Sequence, residues 1–362
     1  MLTSIAIILL LGLVMGWTVS KLKLPNLLGM ILVGIIISPY ALNLIDDTIL
    51  GISSELRQIA LVIILTRAGL SLNIRDLKKV GRPAILMCFV PACVEILGTI
   101  IIAPLLFDIT TLEAAIMGSV IAAVSPAVVV PRMIKLIEEG YGVKNGIPQL
   151  ILAGASVDDV FVIVMFTAFT SLVSTGDFSA TSFLQIPIAI ILGILLGVIV
   201  GFVLTIFFKR FHMRDSIKII IIISLSFLLL EVENLLEGLV PVSALLAIMS
   251  MGIIIKHRYD VLASRLSIKY NKLWLCAEIF LFVLVGATVD LKYVMTAGIS
   301  AVGVILVALI FRMIGVALCL PESVKFHFYK NKPISVVIFY RLHTNYNQSY
   351  RSKGHTTPLE FQ

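Results

Sequence analysis

The chain is a succession of long apolar runs separated by short polar loops. At about 20 apolar residues per bilayer crossing, the pattern predicts eleven spans, over 2–20, 24–44, 55–72, 82–106, 112–134, 147–173, 183–208, 216–236, 239–256, 272–289 and 298–320. The first run has the length of a signal peptide. It lacks a basic leading segment and a small-residue cleavage site, and a second apolar run follows at once, so it reads as the first transmembrane helix. The expected fold class is an all-α polytopic membrane protein.

The loops alternate in charge. The first, third, fifth, seventh and ninth are basic, as in Arg75-Asp-Leu-Lys78-Lys79 and Lys209-Arg210, whereas the even loops carry mainly acids such as Asp46, Asp47, Asp108 and Asp177. Cytoplasmic loops are the basic ones, which places the N-terminus outside a cell membrane. Composition agrees: 59% of residues are hydrophobic and 14% charged, outside the range of soluble domains. The net charge of +7 does not indicate nucleic acid, because loops and the polar last segment carry it. Cys88, Cys93, Cys276 and Cys319 lie inside apolar spans without metal-ligand spacing and read as small core residues. Trp17 and Trp274 lie near span ends, as interfacial aromatics do.

Against this background the interruptions carry the information. Ala155-Ser-Val-Asp158-Asp159-Val160 places two carboxylates in the middle of the sixth span, where an ionisable group costs roughly 2.5–3.5 kcal/mol or more. Glu95 in the fourth span, Ser125-Pro126 in the fifth and Arg312 in the eleventh lie at similar depths, roughly 17–21 Å from their helix starts at 1.5 Å per residue. All four features converge near the midplane. An internal repeat adds to this: Gly69-Leu-Ser-Leu-Asn-Ile-Arg75 closes the third span and Gly286-Ala-Thr-Val-Asp-Leu-Lys292 closes the tenth, 217 positions later, and the same shift carries Glu95 onto Arg312. The two spans run in opposite directions, so the halves are inverted, as in many secondary transporters.

The residue types suit ion binding. Pro126, with Pro131 five positions on, should break or kink the fifth span near the midplane; unwound carbonyls at that depth are tolerated where they line a cavity. Asp158 and Asp159 diverge by about 100° on a helix, so one can hold a counter-ion while the other faces an ion. Two crowded carboxylates let a proton and a cation compete for one group; the alternative is that both belong to buried ion pairs. Arg312 stays charged and needs an anion, for which Asp158, Asp159 and Glu95 are candidates, in a structural or a functional pair. Glu278, near nearby loop cations, and Glu231 are weaker signals. The five histidines show no ligand pattern, and no Walker motif, catalytic triad or zinc motif is present. Neither an enzyme nor a bound cofactor is expected.

Several of these segments together match a known family. Ser125-Pro-Ala-Val-Val-Val-Pro131, Glu139-Gly-Tyr-Gly-Val-Lys-Asn-Gly-Ile-Pro148, Ala155-Ser-Val-Asp-Asp-Val160, Lys23-Leu-Pro-Asn-Leu-Leu-Gly29 and Leu284-Val-Gly-Ala-Thr-Val-Asp290 resemble the sodium/proton antiporters of the monovalent cation:proton antiporter superfamily, NHA branch, over about residues 1–320. The resemblance implies a homodimer of thirteen- or fourteen-helix subunits, in which a six-helix core moves against a dimerisation domain like an elevator. It also implies that Asp159 exchanges Na⁺ or Li⁺ for H⁺ with Asp158 beside it, that Arg312 pairs with an aspartate, and that Ser125 and its break form one of two crossed discontinuous helices.

Residues 1–320 are therefore expected to form the membrane domain and 321–362 a polar tail that departs from the family. The shifted position of Pro126 falls near 343 in that tail, where the family has a Lys-Ala-Thr-Val-Gln segment. Codons compatible with Asn347-Gln-Ser-Tyr-Arg-Ser-Lys353, read one base later, spell Thr-Lys-Ala-Thr-Val-Gln, so the tail is expected to be a misread twelfth helix after about Leu320. The expected function is Na⁺(Li⁺)/H⁺ antiport by alternating access, one-for-one and electroneutral if Arg312 permanently neutralises Asp158. The alternatives are a cation channel or channel-like subunit, or an inactive product lacking half of the second repeat.

Overall fold

The structure, a computed structural model, describes residues 1–319 except Lys23, 73–85, 144–145, 176–180 and 237–239; the side chains of some helical residues, Pro126 and Asp159 among them, also lie outside the described set. The tail assigned to 321–362 is outside it altogether. The described residues form helices and no strands: α1 (Leu2–Lys21), α2 (Asn26–Ile37), α3 (Asp47–Gly51), α4 (Ser53–Ser71), α5 (Val90–Leu106), α6 (Thr111–Ile121), α7 (Pro126–Glu138), α8 (Ile147–Thr175), α9 (Thr181–Arg210), α10 (Asp215–Leu236), α11 (Ala244–Arg258), α12 (Asp260–Ala287) and α13 (Leu291–Cys319). Among them, five stretches are long and apolar enough to cross a bilayer, at Leu2–Lys21, Pro187–Arg210, Asp215–Leu236, Asp260–Ala287 and Thr296–Cys319. Leu10, Ile220, Val261 and Ile299 leave apolar side chains exposed on these helices, as a lipid-facing surface requires. The protein is a multi-pass membrane protein.

Several boundaries differ from the expected spans; the eleventh, for one, begins as a helix at Leu291 rather than 298. The second span ends as a helix at Ile37, and the chain turns at Ser38 before the short α3. The fifth span divides into α6 and α7 at the expected break. The tenth starts at Asp260 rather than 272, because Arg265 and Lys269, read as loop cations, sit on α12 facing Asp215 of α10 at 3.1 and 3.8 Å. Trp274, expected at an interface, is buried within the protein, and Cys276, expected in the core, is exposed. Within α13, Gly298 has φ 51 and ψ −140, a kink that only a residue without Cβ takes at little cost.

Among the described residues, packing is organised around one large core and three small ones. The large core draws on α1–α4 and α9–α12, and takes in Val130 and Ile134 of α7 and Leu152 of α8. The small clusters join α5, α6, α8 and α13. Close crossings without side chains hold the large body together. A Cβ on Gly69 of α4 would meet the Met249 carbonyl and, at 3.0 Å, Gly252 Cα of α11; a Cβ on Gly286 of α12 would meet the Ile31 carbonyl and, at 3.0 Å, Gly34 Cα of α2.

These crossings are repeat mates. Gly69 and Gly286 are 217 positions apart, and their partners Gly252 and Gly34 differ by one more. The same shift relates the two sides of the α5–α13 contact. A Cβ on Gly98 of α5 would meet the Phe311 ring of α13, while a Cβ on Gly315 of α13 would lie 3.2 Å from Val94 of α5; 94 maps to 311 and 98 to 315 under the shift. The contact is therefore reciprocal, and the inverted repeat is built into how the helices pack.

Candidate functional site

The reciprocal α5–α13 contact fixes what lies at its centre. Arg312 Nη1 donates to Glu95 Oε2 and, at 2.7 Å, to the Ala122 carbonyl; Nη2 donates to Asp158 Oδ2 at 2.9 Å. Glu95 and Asp158 each have a side chain only 2% exposed. The pair Glu95–Arg312 spans 217 positions and so maps onto itself under the repeat.

Local sequence explains each contributor. Ala122 is the C-cap of α6, where the last carbonyls of a helix have no intrahelical donor and the helix dipole presents partial negative charge. Arg312 supplies both a donor and a positive charge there. Beyond Ala122 the chain leaves helical geometry until Ser125, which is extended at φ −65, ψ 113 and makes no side-chain cap hydrogen bond. Pro126 then begins α7, the position where its missing N–H costs nothing. The break expected at Ser125-Pro126 is present. Pro131 does not interrupt α7; it only withholds an N–H from the carbonyl four residues before it.

The arrangement has two consequences for the charges. Arg312 faces two carboxylates, Glu95 and Asp158, rather than neutralising Asp158 alone, so the three groups carry a formal charge of −1 with both acids ionised. Asp158 Oδ1 is buried with no hydrogen-bond partner among the described residues. A buried acceptor with an open lone pair is costly unless a proton or cation uses it. Asp159 follows on α8, but its side chain lies outside the described residues.

Beside Arg312, the one basic residue the sequence points to as a candidate, the structure buries two more cations. Arg67 of α4 has a side chain 8% exposed, below the 19% of Arg312, and Lys218 of α10 is buried, 5.6 Å from the Phe208 ring and 6.0 Å from that of Tyr259. Both lie about one turn from a helix end, where hydropathy alone reads a charge as interfacial. Glu278 interacts electrostatically with Arg132, a cation of the expected fifth loop, and with Arg67, and Glu231 is exposed. Among the described residues no group of three His, Cys, Asp or Glu forms a metal-ion cluster.

Inverted helical repeats packed across a buried arginine–carboxylate cluster beside a broken helix define an integral membrane protein of the transporter kind. The family model described as sodium/hydrogen exchanger, transmembrane, matches residues 5–341, and the chain belongs to that family. The match continues past Leu320, so similarity to the family does not stop where the apolar character ends. The chain is similar to sodium/hydrogen exchanger 9B2 of Homo sapiens, 42% identical over 146 residues, 40% of this chain and 27% of that one. It is 36% identical to sodium/hydrogen exchanger 9B1 of Homo sapiens over 198 residues, 54% of this chain and 38% of that one. These matches thus span about a quarter to two-fifths of the relatives' length. The fold resembles that of the sodium proton antiporter MjNhaP1 from Methanocaldococcus jannaschii, with TM-score 0.70 and 21% identity over 87% of this chain and 77% of that one.

Proposed function

We propose that the chain exchanges Na⁺ or Li⁺ for H⁺ across the cell membrane by alternating access, with Asp158 and Asp159 as the cation and proton site. The observation that supports this most is the buried cluster beside the break, in which Asp158 holds Arg312 through one oxygen and keeps the other open. Ser125, whose hydroxyl makes no cap hydrogen bond, and the unwound Ala123–Ser125 backbone supply further oxygens for a dehydrated monovalent cation. Glu95 and Arg312 position Asp158, and Asp159 carries the exchange.

In this reading the smaller clusters of α5, α6, α8 and α13 belong to the moving core, and the large body of α1–α4 and α9–α12 to the dimerisation side of a homodimer, with the N-terminus outside. The assay is proton flux in vesicles containing the purified chain. An imposed Na⁺ or Li⁺ gradient should drive saturable proton counterflow that Asp159→Asn abolishes. Cation conductance without proton counterflow would instead favour a channel. One-for-one exchange at Asp159 alone is electroneutral, so clamping the membrane potential with valinomycin should leave the rate unchanged. A voltage-dependent rate would mean that the extra negative charge of the Glu95–Arg312–Asp158 group also takes part.

For the tail we propose that the departure from the family is a shifted reading frame. Reading the nucleotide sequence there in three frames tests this; no frame restoring Lys-Ala-Thr-Val-Gln would remove the idea.

A further inference from the structure

The half-helix α7 carries a second cluster of charges at the end away from the site. Glu138 of α7 stands 3.7 Å from the guanidinium of Arg67 on α4. Glu278 of α12, half-buried, interacts with Arg67 and with Arg132 of α7. The four groups alternate in sign around three helices and sum to zero. Two belong to α7 and two to the large body.

The Arg67–Glu138 contact is a lopsided pair. The arginine side chain is 8% exposed and the glutamate 64%, and their separation exceeds a hydrogen bond. Arg67 Nε is buried without a hydrogen-bond partner among the described residues. A guanidinium has five donors, and leaving them loosely matched in a dry site is expensive. A permanent structural pair closes to bidentate geometry; a long contact from a buried cation to an exposed carboxylate is one that can open.

The position of α7 makes that opening consequential. Its apolar side, through Val130 and Ile134, packs into the large core, while its first residue begins at the break next to the Ala122 carbonyl that Arg312 holds. Thirteen residues of helix transmit a displacement as a rod about 20 Å long. Resting on the transport reading above, we propose that Arg67, Glu138, Glu278 and Arg132 form a releasable clasp that sets where α7 sits against α4 and α12, and so where the break sits against the cation site. Arg67 is a positioning residue in this scheme.

Hydrogen–deuterium exchange of the full chain in lipid nanodiscs tests the clasp without any ion gradient. Arg67→Gln and Glu138→Gln should each speed exchange of the 126–138 amides about fivefold, with 90–106 unchanged, and the double variant should exceed Arg67→Gln by little, because both remove one contact. Unchanged exchange in Glu138→Gln, or a double variant equal to the product of the singles, overturns the proposal. Should Arg67→Gln not fold, Glu138→Gln at its exposed position decides alone. A chain that shows this exchange pattern but moves no cation in vesicles keeps the clasp and loses the antiport reading, so the two fail separately.

Discussion

Arg312→Gln is expected to destabilise the protein by roughly 3–5 kcal/mol, the usual consequence of removing one partner from a buried ion pair, and to stop cation-driven proton flux. Arg312 is the one described cation bonded to both Glu95 and Asp158, and it also satisfies the Ala122 carbonyl. Without it two carboxylates, each 2% exposed, face each other across α5 and α8, and an end-of-helix carbonyl loses its donor. Arg312→Lys should recover only part of the loss, because an ammonium is a point charge and cannot reach three acceptors in the fixed fork of a guanidinium. Adding Glu95→Gln to Arg312→Gln should return some stability by removing one of the stranded charges. Thermal unfolding in detergent reads the stability, and the vesicle assay reads the flux. Arg312→Gln unfolding together with the unaltered protein would mean that the cluster does not carry the energy assigned to it.

Gly69→Val and Gly286→Val are expected to be comparably severe, each costing about 1–3 kcal/mol or more through overpacking. At both positions the atoms that a new Cβ meets are backbone, the Met249 carbonyl for one and the Ile31 carbonyl for the other. Backbone cannot rotate aside as a side chain can, so two helices would have to separate. Gly51, whose added Cβ would meet nothing within 4 Å, provides a neutral comparison. Equal shifts in melting temperature for Gly69→Val and Gly286→Val, with Gly51→Val near the unaltered protein, are the anticipated result. A severe Gly69→Val beside a silent Gly286→Val would contradict the equivalence of the two crossings.

Much of this was legible in the residue order. A single shift of 217 linked the glycines at two helix ends and also Glu95 to Arg312; the structure turns the second link into a contact and the first into two equivalent helix crossings. The break at Pro126 was readable because proline at the start of a helix needs no N–H. Pro131 was not, since an interior proline removes one N–H and strains the turn before it without its position alone saying whether the helix ends there. The start of α12 was misplaced because Arg265 and Lys269 look like loop residues until Asp215 of another helix is known to face them. Arg67 was missed for a related reason: four residues from the end of α4, its depth is set by the α7 and α12 neighbours rather than by its own helix. That Arg312 would take two carboxylates and a carbonyl at once could not be read from depth alone, which offered three acids as candidates.

The pairing of Glu95 with Arg312 on the line that exchanges the two repeats carries a consequence for how such a chain arises. A position that maps onto itself under the exchange always meets its own copy. In a chain of two identical repeats the same residue would occupy both places, and an acid would face an acid or a base a base, several kilocalories uphill in a dry interior. Opposite charges at this spot require the two halves to differ in sequence while sharing a backbone path. The reciprocal glycine crossings can persist through duplication unchanged, whereas the charged centre cannot. Asp158 and the Ala122 carbonyl, both contributed by the first half, mark which half received the acids.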